Sequence, residues 1–178
     1  MLLESIFAGF GGQGVMLMGQ LLAYSGMYEG KNTTYVPSYG PEMRGGTANC
    51  SVVVSDELIG SPVISEPNFV VAMNRPSLER FEGMIKSGGI LFYNSSLIDV
   101  KPKRTDIKVI AIPANEIATE IGNNRVANMV VIGAILKSTS IVHIETVMKV
   151  LQEKVLTGKK KDLVDINRKA IEKGMELV

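Results

Sequence analysis

Six residues near the start, Gly9-Phe-Gly-Gly-Gln-Gly14, do most to limit what this chain can fold into. They follow a short apolar run at residues 2–8 and precede apolar residues at Val15, Met18, Leu21 and Leu22. Continuous apolarity before the turn predicts a buried strand, and the spacing after it predicts a helix as far as Tyr28. Gly19 and Ala23 are small enough to let that helix lie close on a sheet. Gly9, Gly11 and Gly14 thus match G-x-G-x-x-G at a strand-to-helix junction, with Gly12 as an extra glycine. In such a junction the first glycine permits a sharp turn and the second lets backbone N–H groups approach a phosphate. The third lets the helix pack on the strand, and the helix N-terminus offers unpaired donors and partial positive charge. The turn is therefore a candidate phosphate cradle; the plainer reading is a tight turn with no ligand.

The rest of the chain continues the alternation. A second strand is predicted at residues 33–36, ended by Pro37, and a turn-rich charged loop at 38–47. A strand follows at 48–55, with Leu58 and Ile59 as its hairpin partner across Asp56-Glu57. Further strands are predicted at 69–73, 90–93 and 107–112, the first two flanking a helix at 75–86 closed by Gly88-Gly89. Helices then fall at 114–121 and 127–137, followed by two more at the C-terminal end. Ile144, Val147, Met148, Leu151 and Val155 form the stripe of one, and Leu163, Ile166 and Ala170 the inner face of the other. Strands alternating with helices predict an α/β fold: a three-layer α/β/α sandwich, Rossmann-like, with a mostly parallel but mixed sheet. At 178 residues, with no repeat and no linker, residues 1–178 are read as a single domain.

Several classes of function are disfavoured. Lys plus Arg number 19 against 18 Asp plus Glu, so no overall field draws nucleic acid or an anionic membrane. Cys50 is the sole cysteine and His143 the sole histidine; neither an iron–sulfur cluster nor a histidine-based metal site is expected on this chain. The apolar run at 126–136 is too short to span a bilayer, and Glu4 stands where a signal peptide needs positive charge; the expectation is a cytoplasmic protein. An ordinary NAD site wants an acid at the end of the second strand. That place holds Thr34-Tyr35-Val36-Pro37, with Glu29 and Glu42 to either side, so NAD is disfavoured.

The loop Tyr39-Gly-Pro-Glu-Met-Arg-Gly-Gly-Thr47 is expected near the carboxyl ends of the parallel strands, where ligands usually bind. Gly40, Gly45 and Gly46 free its backbone, and Arg44 offers a planar fork for a carboxylate or phosphate. Together, Gly9-Phe-Gly-Gly-Gln-Gly-Val15 and Pro37-Ser-Tyr-Gly-Pro-Glu-Met-Arg-Gly-Gly-Thr-Ala-Asn-Cys-Ser51 closely resemble the gamma subunit of 2-oxoacid:ferredoxin oxidoreductases. The second motif is most similar to the 2-oxoglutarate branch, and the likeness extends to Arg125-Val-Ala-Asn-Met129.

The resemblance implies a subunit of an enzyme that oxidatively decarboxylates a 2-oxoacid on thiamine diphosphate. Electrons would pass through iron–sulfur clusters to ferredoxin, and an acyl-CoA would be released. The gamma chain is implied to cover a partner's thiamine site and to help bind coenzyme A, with no catalytic residue and no metal of its own. Thiamine diphosphate, magnesium and the clusters are implied on alpha, beta and ferredoxin-like delta partners. On this sequence Gly9, Gly11, Gly12, Gln13 and Gly14 become the expected CoA phosphate cradle. Tyr39, Glu42, Arg44, Gly45, Gly46, Thr47 and Asn49 become the loop facing the partner or substrate, and Tyr39, Pro41 and Met43 are expected at the partner face. An indolepyruvate or branched-chain 2-oxoacid complex, a stand-alone nucleotide-binding protein and a purely structural subunit are the alternatives. Cys50 is expected to pack as a small hydrophobe, and His143 at the surface or as a cap. Lys159 to Lys161 is expected as a solvated connection, and Asn124 and Arg125 as caps of the late helix.

Overall fold

The computed structural model describes residues 1–39, 47–156 and 161–178. Six strands lie in one sheet: β1 (Leu2–Phe10), β2 (Asn32–Tyr39), β3 (Thr47–Ser55), β4 (Phe69–Ala72), β5 (Ile90–Asn94) and β6 (Lys108–Ile112). Their spatial order is β2-β3-β1-β4-β5-β6. The strands β1, β4, β5 and β6 run parallel, while β3 lies antiparallel between β1 and β2. The sheet is mixed, as the sequence predicts, with a parallel half and an antiparallel half.

Side chains alternate across each strand and give the sheet two cores. On the first face Phe7, Phe69 and Phe92 form an edge-to-face ladder across three adjacent parallel strands, with centroids 5.9 and 5.6 Å apart. The helices α1 (Val15–Tyr28), α4 (Ala127–Thr139) and α5 (Ile144–Val150) cover this face. On the second face Ile6, Ala8, Val70, Ala72 and Leu91 pack beneath α2 (Arg75–Phe81). Helix α3 (Ala114–Ile121) joins the first-face core. The last helix, α6 (Lys161–Met175), packs chiefly on α4. That crossing is close because Gly133 and Gly174 meet the facing backbones at Ile171 O and Val130 O. Any side chain at either position would occupy the neighbouring helix's main chain.

Three expectations about local structure need correction. Strand β2 does not end at Pro37 but runs on to Tyr39, with Pro37 opposite Cys50. Because β2 is the edge strand, a residue lacking an N–H costs the sheet no essential hydrogen bond. Leu58 and Ile59 form no strand; both sides of β3 are already taken by β1 and β2, and Leu58 stands 90% exposed. The helix expected at 75–86 stops at Phe81 and tightens into a 3₁₀ turn over Glu82–Met84. Glu82 is buried there, its carboxylate accepting from the N–H groups of Lys103 and Arg104 at 2.5 and 2.8 Å.

Candidate functional site

Two adjacent parallel strands send their helices to opposite faces: β1 leads into α1 on the first face and β4 into α2 on the second. Such a divergence opens a crevice at the carboxyl ends of the strands, which is where open α/β sheets bind ligands. The glycine turn lies there. Gly14 enters α1 in the left-handed conformation, with φ 76° and ψ 19°, and no side chain caps the helix. Gly12 is also left-handed at φ 101°, and a Cβ there would touch nothing within 4 Å. Among the described residues the N–H groups of Gly12 and Gly14 meet no acceptor.

The remaining residues of the motif have structural work. A Cβ on Gly9 would press to 2.9 Å from both Met73 Cβ and Val15 Cγ1, so this glycine allows β1 to leave the sheet beside β4. Gln13 is spent internally. Its N–H donates to Phe10 O at 3.1 Å, its Oε1 accepts from Phe10 N at 2.7 Å, and its Nε2 donates to Met73 O at 3.0 Å. Gln13 therefore straps the turn to the end of β4, with its backbone N–H and one of its two amide N–H donors already used.

Beside the turn is a cleft of about 420 Å³ whose walls include Gly12, Gln13, Gly14, Leu17, Met73 and Leu97. Its polar wall is Asn115, Asn124, Arg125 and Asn128. Of the cradle residues expected from sequence, Gly12, Gln13 and Gly14 reach this cleft, whereas Gly9 and Gly11 do not line it. Asn128 was not anticipated. It begins the second position of α4, is 6% exposed, and lies so close to Gly14 that any Cβ there would run into its amide. Asn124 and Arg125 are not the caps expected: α4 starts from Val126 with no side-chain cap, and Asn123 caps the 3₁₀ turn before it, its Oδ1 accepting from Arg125 N at 3.0 Å.

The charged loop falls mainly outside the described residues: Glu42, Arg44, Gly45 and Gly46, together with Pro41 and Met43, belong to the undescribed stretch. Its flanks are described. Tyr39 ends β2 opposite Ala48, and Thr47 begins β3 opposite Phe10, so the loop's two ends adjoin the glycine turn. Thr47 is exposed and Asn49 half-buried; neither lines the cleft. Lys159 and Lys160 also lie outside the described residues.

Cys50 is fully buried beneath α1, where Gly19 permits the approach. Burial pushes its thiol up to about 12, against a small lowering by a backbone contact at Gly19. It is a packing residue. His143 precedes α5 with an exposed ring, its Nδ1 3.2 Å from Glu29 Oε1 and its N–H donating to the same oxygen at 2.7 Å. Among the described residues no three His, Cys, Asp or Glu side chains gather to hold a metal. No helix among them is long and apolar enough to cross a membrane.

Residues 4–177 match the family model described as pyruvate ferredoxin/flavodoxin oxidoreductase. The chain is 41% identical over 169 residues to ketoisovalerate oxidoreductase subunit VorA of Methanothermobacter marburgensis, covering 95% of this chain and 35% of that one. It therefore spans about a third of the length of that relative. Among solved structures it is similar to the gamma subunit of a keto/oxoacid ferredoxin oxidoreductase from Geobacter sulfurreducens. The TM-score is 0.81 at 30% identity, covering 98% of this chain and 96% of that chain. It also superposes on the 2-oxoglutarate:ferredoxin oxidoreductase of Magnetococcus marinus, solved with 2-oxoglutarate, coenzyme A and succinyl-CoA bound. There the TM-score is 0.90 at 25% identity, covering 99% of this chain and 31% of that one. This chain belongs to the pyruvate ferredoxin/flavodoxin oxidoreductase family and is built like its gamma subunits.

Proposed function

We propose that this chain, as one gamma-type domain, serves as the gamma subunit of a cytoplasmic multi-subunit 2-oxoacid:ferredoxin oxidoreductase. In that role it covers a partner's thiamine site and helps to hold coenzyme A, contributing no catalytic residue itself. The observation that carries this reading is the open glycine junction. Gly12 and Gly14 leave donors unpaired at a switch-point crevice, in a fold whose Magnetococcus counterpart was solved with coenzyme A. The loop from Tyr39 to Asn49, with Arg44 at its centre, is assigned to face the partner or the substrate. Its ends lie beside the turn. Thiamine diphosphate, magnesium and iron–sulfur clusters belong on the alpha, beta and delta-type partners, and ferredoxin is the electron acceptor.

For the substrate we favour 2-oxoglutarate, on the Pro-Glu-Met-Arg-Gly-Gly stretch at 41–46. The 41% identity to a subunit named for ketoisovalerate supports a branched-chain 2-oxoacid as the second reading. Purifying the native assembly through this chain and measuring CoA-dependent ferredoxin reduction with each acid decides between them. Faster turnover with 2-oxoglutarate is expected. An assembly that contains this chain but oxidises no 2-oxoacid would overturn the whole reading.

A further inference from the structure

The cleft beside the glycine turn has a polar wall that glycine N–H groups alone do not explain. Asn128 is more than nine-tenths buried, lies against Gly14 and lines the cleft, yet its side-chain amide has no hydrogen-bond partner among the described residues. Among the described residues the polar side-chain atoms sealed off without a partner belong to Ser25, Thr34 and Ser138; the Asn128 amide instead opens into the cleft, where an external group can pair with it. Arg125 stands on the same wall, and its guanidinium also has no partner among the described residues. The other described arginines are all engaged: Arg75 and Arg104 with carboxylates, Arg80 over the Phe81 ring, and Arg168 in a two-pronged pair with Glu145. Among the described residues no aspartate or glutamate lines the cleft. The lining thus offers, among the described residues, one unpaired guanidinium, several asparagine amides and no acid, a donor set that suits an anion.

The positions follow from the local fold. Asn123 caps a 3₁₀ turn over Asn124–Val126, and Val126 is buried at 3% exposure, which anchors the turn. Arg125 is therefore held on the rim rather than in the core. The following turn of α4 carries Asn128 down to Gly14, and the left-handed glycine is what makes room for its amide.

We infer that Arg125 and Asn128 form, with Gly12 and Gly14, the phosphate-reading part of this cleft. Arg125 forks onto phosphate oxygens at the rim, and the buried amide of Asn128 donates to the same group from below. Leu17, Met73 and Leu97 supply the apolar wall along which the rest of a phosphate-bearing coenzyme would lie. This assignment rests on the CoA reading above for the identity of the coenzyme, but not for the anion itself.

The test is calorimetric titration of the chain and of its assembled complex with CoA, inorganic pyrophosphate, 2-oxoglutarate and phosphate-free pantetheine. Variants are Arg125→Ala, Arg125→Lys, Asn128→Ala and Asn128→Asp. Arg125 is exposed, so its variants should melt as the parent does and keep the test valid if an Asn128 variant fails to fold. Arg125→Ala should weaken CoA and pyrophosphate about ten- to a hundredfold, and Lys should restore little. Asn128→Ala should cost about two- to tenfold, and Asn128→Asp more, since a carboxylate repels the anion. Pantetheine binding should be unchanged, and raising the salt should weaken the parent more than Arg125→Ala. If the parent binds CoA and every variant binds it equally, this inference is wrong and the CoA reading survives. If Arg125 governs pyrophosphate while CoA does not bind, the anion site stands and the CoA reading falls. Binding of neither overturns both. Arg125-dependent binding of 2-oxoglutarate without pyrophosphate would overturn the phosphate assignment.

Discussion

Two strand-to-helix junctions stand side by side at the same edge of the sheet, and they are finished in opposite ways. After β4, Asn74 caps α2, its Oδ1 accepting from Ser77 N at 2.9 Å, and Pro76 sits in the first turn where no N–H is needed. After β1, α1 starts from a left-handed glycine with no side-chain cap. Both helices face the same problem of orphan donors. One junction solves it with its own side chains and is closed; the other leaves its donors open beside a cleft walled by unpartnered Arg125 and Asn128. The starts of α3, α4 and α5 also lack a side-chain cap, so what sets the α1 start apart is the cleft beside it. On the reading proposed above, the open junction is where the coenzyme's phosphate supplies the missing acceptor.

The comparison is broken most severely at Gly14. Alanine there must adopt φ 76° and must displace the Asn128 amide. Strain and overlap together should cost about 3 kcal/mol, seen as a Tm lower by on the order of 10 °C. The matching change at the closed junction, Pro76→Ala, should cost no more than about 1 kcal/mol. Equal melting of Gly14→Ala and the parent would mean that the turn is not constrained as described.

Gly12 separates openness from packing, because a Cβ there meets nothing while φ 101° remains unfavourable to any side chain. Gly12→Val should cost about 2 kcal/mol of stability and still fold. In the assembled complex the apparent KM for CoA should rise more than that for the 2-oxoacid. A variant with unchanged CoA dependence would make the open junction a mere turn.

The closed junction gives a smaller, purely structural effect. Asn74→Ala removes the cap of α2 and should lower stability by about 1 kcal/mol, read from urea unfolding with an unchanged slope. CoA dependence should not move, since Asn74 does not line the cleft. A shift in CoA dependence comparable to that of Gly12→Val would erase the distinction between the junctions.

How much of this was legible in the sequence follows from distance along the chain. The turn, its strand and its helix are local, and the glycine spacing with flanking apolar residues announces them. The cap at Asn74 is equally local. The cleft is not: Asn128 meets Gly14 only because α4 returns across the first face, and nothing near Asn128 reveals that its amide will open into a cleft beside the turn. The Gly133–Gly174 crossing is hidden for the same reason, although each glycine inside a helical pattern costs enough to ask for an explanation. Pro37 misled because an edge strand tolerates proline, and edge position is a property of the assembled sheet.

The two junctions are also joined, and the joint offers the finest test. Gln13 Oε1 accepts from Phe10 N at 2.7 Å and, more weakly, from Asn74 Nδ2 at 3.4 Å, while its Nε2 donates to Met73 O at 3.0 Å. Most of what Gln13 contributes is thus to its own turn and the end of β4, and little reaches the cap of α2. Gln13→Ala alone should cost about 1–2 kcal/mol, because it leaves the Phe10 N–H and the Met73 carbonyl without their partners. The double variant Gln13→Ala with Asn74→Ala should be destabilised by nearly the sum of the single changes, with a coupling no larger than about 0.5 kcal/mol. The reason is geometric: a 3.4 Å contact is at the long limit of a hydrogen bond, and Asn74 keeps its stronger bond to Ser77 N when Gln13 is gone. A measured coupling above about 1 kcal/mol would show that the two helix starts behave as one unit. The closed junction would then be part of what positions the open one.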